Sequence, residues 1–115
     1  MGILTNRVIL ADDSFFEKVQ PYLLSRTVTL CISLDSLSPK LHDEIRGKTG
    51  AHEATLKVLK KLYSLKRIYP SIEYMVITIL LNQNLEEILS LLNFLKELQV
   101  NKIQIQPILD NNLYI

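Results

Sequence analysis

The residues best suited to chemistry lie in one stretch near the middle of the chain. Ser33 and Asp35 end an alternating apolar segment, and a connection follows that reads His-Asp-Glu-Ile-Arg-Gly over residues 42–47. A lysine-rich segment then opens with His52 and Glu53. Short hydroxyl and carboxylate groups bind ribose, amino-acid head groups and phosphate through hydrogen bonds. The stretch therefore indicates a site for a polar small molecule and implies no particular reaction.

Each of these residues also has a purely structural interpretation. Ser33 and Asp35 are typical of a turn that leaves a strand, because their side chains bond nearby backbone groups. Asn84 precedes an amphipathic segment and is a candidate helix cap. Gly47 after Arg46 is typical of a helix end in the left-handed conformation. Sequence pattern alone leaves both interpretations open.

The familiar catalytic and metal-binding motifs are missing from the sequence. It contains no glycine-rich phosphate loop, Walker sequence, nucleophile elbow or Ser-His-Asp spacing, so we assign no catalytic residue. His42 and His52 are ten residues apart, which does not predict a metal-ligating pair. Cys31 is the sole cysteine, so neither an internal disulfide nor a tetrahedral zinc site is indicated. We predict that Cys31 packs within a strand.

Length and composition predict a single domain over residues 1–115. The 48% hydrophobic and 22% charged content is that of a globular protein. A net charge of +1 gives no electrostatic reason to expect nucleic acid or an anionic membrane as partner. The longest apolar stretch, residues 75–81, is far shorter than the ~20 residues of a spanning helix, and no secretory signal is evident. We expect a cytoplasmic protein.

Strand-like and helix-like patterns alternate along the chain, which predicts an α/β fold with a parallel sheet. The first helix should begin at Ser14, form a capping box with Glu17, and break or kink at Pro21. In the last helix we expect Leu85, Ile88, Leu92, Leu95 and Leu98 to face inward. The predicted strands are residues 2–5, 28–34, 72–80 and 102–107, and the predicted helices are residues 14–25, 39–46, 52–68 and 85–98.

Polar positions on the predicted strands distinguish two architectures. Thr29, Cys31 and Ser33 share one face of their strand, and Gln104 and Gln106 share one face of theirs. Polar side chains that point into a lumen favour a partial barrel over a doubly wound sheet, in which helices cover both faces. Ligands of parallel βα proteins bind beyond the carboxyl ends of the strands. Those ends present Thr5 and Asn6, Ser33 and Asp35, Leu81 and Asn82, and Gln106.

In order and spacing, this sequence resembles the central segment of a radical S-adenosylmethionine (radical SAM) enzyme. The resemblance runs from about Ile3 to Pro107. Arg7 stands where that family usually has glycine, and His52 replaces the usual aromatic residue. The matching segments are Leu4-Thr5-Asn6, Ile32-Ser33-Leu34-Asp35, residues 42–47 through His52-Glu53, Asn84-Leu85-Glu86-Glu87, and residues 103–107.

This resemblance implies about half of a (β/α)6 partial TIM-type barrel from an enzyme that modifies peptides or builds cofactors. A complete enzyme of the family would hold a [4Fe-4S] cluster through Cys-x3-Cys-x2-Cys and cleave S-adenosylmethionine reductively to a 5′-deoxyadenosyl radical. We expect the cysteines and a glycine-rich strand end to lie before Met1, and therefore an inactive fragment or degenerate member without a cluster. By resemblance, the remaining cofactor pocket comprises Thr5, Asn6, Ser33, Asp35 and Gln106.

Two other interpretations remain open. The chain would also suit a non-catalytic half barrel that binds another chain or self-associates through its open edges. An unrelated doubly wound domain would bind a phosphate or nucleotide at a helix N-terminus. The missing glycine-rich loop disfavours this last interpretation.

Overall fold

The protein is an α/β fold in which four strands alternate with helices. The computed structural model describes residues 2–4, of which only the backbone is considered, and residues 11–107. No helix in these ranges is both long enough and apolar enough to cross a bilayer. The elements are β1 (Gly2–Leu4), α1 (Asp13–Leu24), β2 (Val28–Ser33), α2 (Pro39–Arg46), α3 (Ala51–Ile68), β3 (Tyr74–Leu80), a 3₁₀ turn (Leu85–Glu87), α4 (Ile88–Glu97) and β4 (Lys102–Pro107).

The strands form one parallel sheet in chain order. The order is β1-β2-β3-β4, with the short β1 at one edge and three longer strands beside it. Doubly wound sheets reverse the direction of strand addition at a switch point, and these described strands do not reverse. Crossovers of one hand that always step the same way are expected to carry their helices on one face of the sheet. Helices α1, α3 and α4 do pack against one face.

The hydrophobic core lies between the helices and that face. Leu30, Ile32 and Leu34 of β2 and its end pack in it, as predicted from their alternation, and Val28 packs against it. Tyr74 and Val76 supply the matching positions of β3, two residues apart as one face of a strand requires. The helices contribute Phe16, Val19 and Leu23 of α1, Val58, Leu59, Leu62 and Leu65 of α3, and Leu91 and Leu95 of α4.

The opposite side of the sheet, here called the second face, is made of the alternate strand positions. Cys31 is buried there, with 3% of its surface exposed, as its predicted packing role requires. Met75, Ile77 and Ile79 are half-buried and lie outside the core cluster. The register of the strands assigns Cys31, Ser33, Met75, Ile77, Ile79, Lys102, Gln104 and Gln106 to the second face.

Helix α1 begins differently from its prediction, and it does not break at Pro21. Asp12, not Ser14, is the N-cap, and its side chain accepts a hydrogen bond from the Phe15 amide at 3.0 Å. The predicted capping box of Ser14 with Glu17 is therefore wrong. The helix also continues through Pro21 as one element. Burial of Val19 and Leu23 on either side of Pro21 offsets the hydrogen bond that proline cannot donate.

The other helices follow their predictions with one change. Helix α2 has the predicted bounds and ends at Gly47, whose φ of 68° is the predicted left-handed conformation. The last predicted helix is divided into the 3₁₀ turn and α4, which turns Leu85 outward, with 41% of its surface exposed. Leu91 is buried in place of the predicted Leu92, which is half-buried and lies outside the core cluster. The inward assignment of Leu85 is therefore wrong, and Leu92 does not join the core.

Candidate functional site

A buried charge pair lies where β2 ends. Asp35 is fully buried, two residues beyond the strand, and Arg46 at the end of α2 reaches it from the side. Arg46 Nε donates to Asp35 Oδ2 at 2.6 Å, and Nη2 donates to Oδ1 at 3.1 Å. The Ile79 amide donates to the same Oδ1 at 2.8 Å. This two-pronged geometry is the strongest form of an arginine–carboxylate contact, so the carboxylate is fixed in place.

The backbone of Asp35 is held as firmly as its side chain. Its N–H donates to His42 Nδ1 at 3.1 Å, and its carbonyl oxygen accepts from Asn84 Nδ2 at 2.8 Å. Asn84 Nδ2 also donates to the Ile79 carbonyl at 2.7 Å, and Asn84 Oδ1 accepts from the Leu81 amide at 2.8 Å. We refer to Asp35, His42, Arg46 and Asn84 as the Asp35 cluster.

Asn84 occupies the predicted N-cap position, at the start of the 3₁₀ turn, but its side chain has a different role. Its side chain makes no capping hydrogen bond with the 3₁₀ turn and is fully buried instead. It joins the end of β3 to Asp35, two residues beyond β2, because the amide group donates and accepts at once. The Thr78 hydroxyl adds a second tie between these strands, donating to the Leu34 carbonyl at 2.8 Å.

The connection between α2 and α3 is organised by Asp43. Its carboxylate accepts from the Gly50 amide at 2.9 Å and from the His52 amide at 2.8 Å. These two backbone donors lower the pKa of the Asp43 carboxyl. The carboxylate also suits the amino-terminal end of α3, where unpaired N–H groups point outward. Asp43 therefore acts as the missing side-chain cap of that helix, since Gly50 offers none.

Two buried histidines meet beside the Asp35 cluster. His42 and His52 have 1% and 5% of their surface exposed, and their rings stand nearly perpendicular with centroids 5.5 Å apart. Within the described residues, neither ring Nε2 has a hydrogen-bond partner. Burial lowers the pKa of His42. No group of three or more His, Cys, Asp or Glu residues suited to a metal ion occurs in the described ranges.

Ser33 and Gln106 belong to a different part of this end of the sheet. Ser33 is half-buried at the last position of β2 and pairs with Ile77, whereas exposed Gln106 pairs with Ile79. Both therefore lie on the second face. Their strands flank β3, so two strand spacings, about 10 Å in total, separate them. Thr5 and Asn6 lie outside the described residues.

The predicted site residues thus fall into two sets at one edge. Asp35 is enclosed by the protein, and both of its carboxylate oxygens already bond to Arg46 and to a backbone amide. Ser33 and Gln106 remain on the second face. Sequence analysis missed the pairing of Arg46 with Asp35 and the joining role of Asn84. No local pattern signals contacts made across 11 and 49 residues.

The second face combines apolar side chains with a few polar groups. Ile77 and Ile79 form an apolar floor between the hydroxyl of Ser33 and the amides of Gln104 and Gln106. Apolar surface with a few polar groups at its border is typical of sites for small molecules. Burial raises the pKa of the neighbouring Cys31 thiol, which makes it a poor nucleophile.

Comparisons with known proteins leave this geometry as the basis for any functional conclusion. No protein-family model, no curated protein and no solved structure matches the chain.

Proposed function

We propose that this chain is a segment of a radical SAM enzyme, about half of its (β/α)6 partial barrel. One observation carries the proposal. Four residues that carry the resemblance form one hydrogen-bonded group at the carboxyl edge of the sheet. The first and last of them are 49 positions apart in the chain. The order of these residues along the chain thus has a structural reason, since His42, Arg46 and Asn84 each bond to Asp35. The complete enzyme would act on a peptide or on a cofactor precursor in the cytoplasm.

The sheet topology supports the barrel component of this proposal. Strands added in one direction, with helices on one face only, leave the second face free to become a lumen. Its column of Ser33, Gln104 and Gln106 would then point inward. In such folds ligands bind at the carboxyl ends of the strands, which is the edge that these residues occupy.

The radical SAM family uses a [4Fe-4S] cluster and S-adenosylmethionine, and this chain suits the second better than the first. Cys31 is the sole cysteine and is buried within β2, so the described residues do not fit a [4Fe-4S] cluster. S-adenosylmethionine, with ribose hydroxyls and an amino-acid head group, fits the polar groups of Ser33 and Gln106 better. Thr5 and Asn6 complete the proposed pocket. Asp35 enters the proposal as a positioning residue, because its carboxylate is already engaged.

An NMR titration of the ¹⁵N-labelled chain with S-adenosylmethionine tests the binding component. We expect shifts at the second face near Ser33, Ile77 and Gln106, and none on α3. Ser33→Ala should weaken binding about tenfold through loss of one hydrogen bond, whereas Ser64→Ala on the exposed side of α3 should not. Absence of shifts at millimolar ligand, or tight binding of a phosphate compound alone, would contradict the proposal.

Anaerobic reconstitution with iron and sulfide tests the expectation of catalytic silence. The chain alone should yield neither a cluster nor 5′-deoxyadenosine, because one cysteine cannot hold the cluster. Formation of both by the isolated chain would overturn that expectation while leaving the family proposal intact.

A second candidate function, a self-associating half barrel, is favoured by the apolar residues outside the core. Met75, Ile77 and Ile79 lie on the second face, and β4 pairs only with β3 among the described strands. Burial of such a face between two copies would stabilise a dimer. Light scattering should then show a mass that rises with concentration in the native chain and in Leu89→Lys, but not in Ile77→Lys. Leu89 is a suitable control because it is 71% exposed on α4. A constant monomer mass would exclude this candidate.

A further inference from the structure

His42 is held uncharged by the group that it contacts. The backbone N–H of Asp35 can only donate, so His42 Nδ1, 3.1 Å away, must be the acceptor and carries no proton. The proton of the neutral ring is then on Nε2, which has no partner among the described residues. A second proton would have to bind at Nδ1, where it would face another N–H.

The nearest alternative acceptor for a protonated Nδ1 belongs to the same residue. Asp35 Oδ2 lies 4.0 Å from His42 Nδ1, and it is the oxygen that Arg46 Nε contacts at 2.6 Å. A modest rotation of the imidazole ring would therefore bring two cationic groups to one carboxylate oxygen. Because two cations repel each other in a buried place, binding of one of them to the carboxylate oxygen is favoured over binding of both.

We propose that His42 and Asp35 form a proton-driven latch on α2. A proton from solvent binds His42 Nδ1, the hydrogen bond from the Asp35 amide breaks, and Nδ1–H donates to Asp35 Oδ2 in place of Arg46 Nε. Arg46, at the carboxyl end of α2, is then released toward solvent, of which it already sees 17% of its side-chain surface. The proposal does not depend on the radical SAM assignment.

Release is confined to the last turn of α2, which carries Arg46, because the start of the connection and the middle of the helix have their own attachments. The Leu37 amide donates to Glu87 Oε1 at 2.8 Å, and neither group belongs to the latch. Asp43, within α2 itself, keeps its two backbone donors in α3 and the turn before it. The last turn would therefore loosen while the rest of the helix stays attached.

Charged and titratable neighbours set the direction of the latch with pH. Burial disfavours the imidazolium most strongly, Asp35 and Asp43 favour it, and His52 of α3 and Arg46 disfavour it. Together these influences lower the pKa of His42 below its ordinary 6.5. The latch is thus closed at neutral pH and opens as the pH falls through the lowered pKa of His42.

NMR of the native chain, from neutral pH down through the titration of His42, tests the latch directly. The chain has only two histidines, so the ring signals of His42 can be assigned. We expect the Arg46 Nε–H signal to follow the midpoint of His42. Hydrogen-exchange protection of the amides in the last turn of α2, corrected for intrinsic rates, should fall at least about tenfold across that midpoint. Amides of β3 should keep their protection. An Arg46 signal that is unchanged through the His42 titration would overturn the proposal.

Two substitutions separate the latch from general acid destabilisation. His42→Asn keeps an acceptor near the position of Nδ1 but cannot take up a proton, so its α2 protection should not change over this range. His52→Gln, the matched control, should retain the change. Loss of the change in His52→Gln, or its persistence in His42→Asn, would contradict the latch. If His42→Asn does not fold, the coupling of Arg46 to His42 in the native chain decides the question.

Discussion

The two ends of the parallel sheet carry polar groups of different construction. At the carboxyl end, Asp35 is fully buried: Arg46 bonds its carboxylate, and His42 and Asn84 bond its backbone N–H and carbonyl. All three partners lie in segments outside the strands. At the amino end, Tyr74 opens β3, and its hydroxyl donates to the carbonyl of Leu98. Asn101 Oδ1, just before β4, accepts from the Tyr74 amide at 3.1 Å and from Lys66 Nζ at 2.6 Å.

The difference lies in where charge is buried. The ammonium of Lys66 stays 5.7 Å from the centre of the Tyr74 ring and bonds an exposed amide. Among the described residues, the amino end encloses no ion pair. The carboxyl end encloses an ion pair and two histidines. This contrast predicts that equivalent changes at the two ends have unequal effects.

The largest effect is expected from loss of Arg46. Arg46→Ala would leave the Asp35 carboxylate buried with one backbone donor, and removal of one partner from a buried pair costs about 3–5 kcal/mol. Equilibrium urea unfolding measures the change. Glu73→Gln is the matched control at the amino end, since it breaks an exposed pair with Arg26. That control should cost less than about 1 kcal/mol. Similar losses in both variants would remove the basis of the comparison.

A double substitution distinguishes loss of the charge pair from loss of packing. Asp35→Asn in the Arg46→Ala background removes the unpaired charge and retains an oxygen for the Ile79 amide. We expect it to recover most of the stability lost in the single variant, because an uncompensated buried charge is the main penalty. No recovery would mean that Arg46 acts mainly through its hydrocarbon stem.

A smaller effect is expected from Asn84. Asn84→Ala leaves the Leu81 amide and two carbonyl groups without the partner shown here, in a buried position, at a cost of about 1–3 kcal/mol. Asn101→Ala removes an acceptor that is exposed, where water can replace it, and should cost about 1 kcal/mol or less. Thermal unfolding of both variants gives the order. A larger loss in Asn101→Ala would reverse the proposed ranking of the two ends.

The sequence predicted the parts of the fold that depend on local pattern. Alternation in β2 identified its core face, and Pro39 at the start with Gly47 after the end identified α2, because local turn chemistry acts within a few residues. The failures in α1 have the opposite cause. There, burial of Val19 and Leu23 outweighed the penalty of Pro21, a contribution that local pattern does not contain.

The candidate site was predicted less completely for the same reason. Residue types placed Ser33 and Asp35 at a strand end, yet the burial of Asp35 depends on Arg46 and on Asn84 from the far side of β3. Leu85 illustrates the same limit, since its apolar character predicted burial and the 3₁₀ turn exposes it. Contacts between distant segments require the tertiary arrangement, which periodicity alone does not encode.

The smallest effect, and the one that most sharpens the comparison, concerns Tyr74. Tyr74→Phe removes the hydrogen bond to Leu98 but keeps the buried ring, so it should cost only about 0.5–1.5 kcal/mol. Burial raises the pKa of the Tyr74 phenol to about 12 from its ordinary 10.0. The raised value means that the folded state loses stability as pH rises from 10 toward 12, because the unfolded chain releases this proton first. Absorbance titration of the native chain should show a phenol step near pH 12 that is missing from Tyr74→Phe. Since the His42 titration lies on the acid side of neutrality, acid would weaken the carboxyl end of the sheet and alkali the amino end. A Tyr74 phenol that ionises near pH 10 would show the amino end to be open to solvent and would remove that opposition.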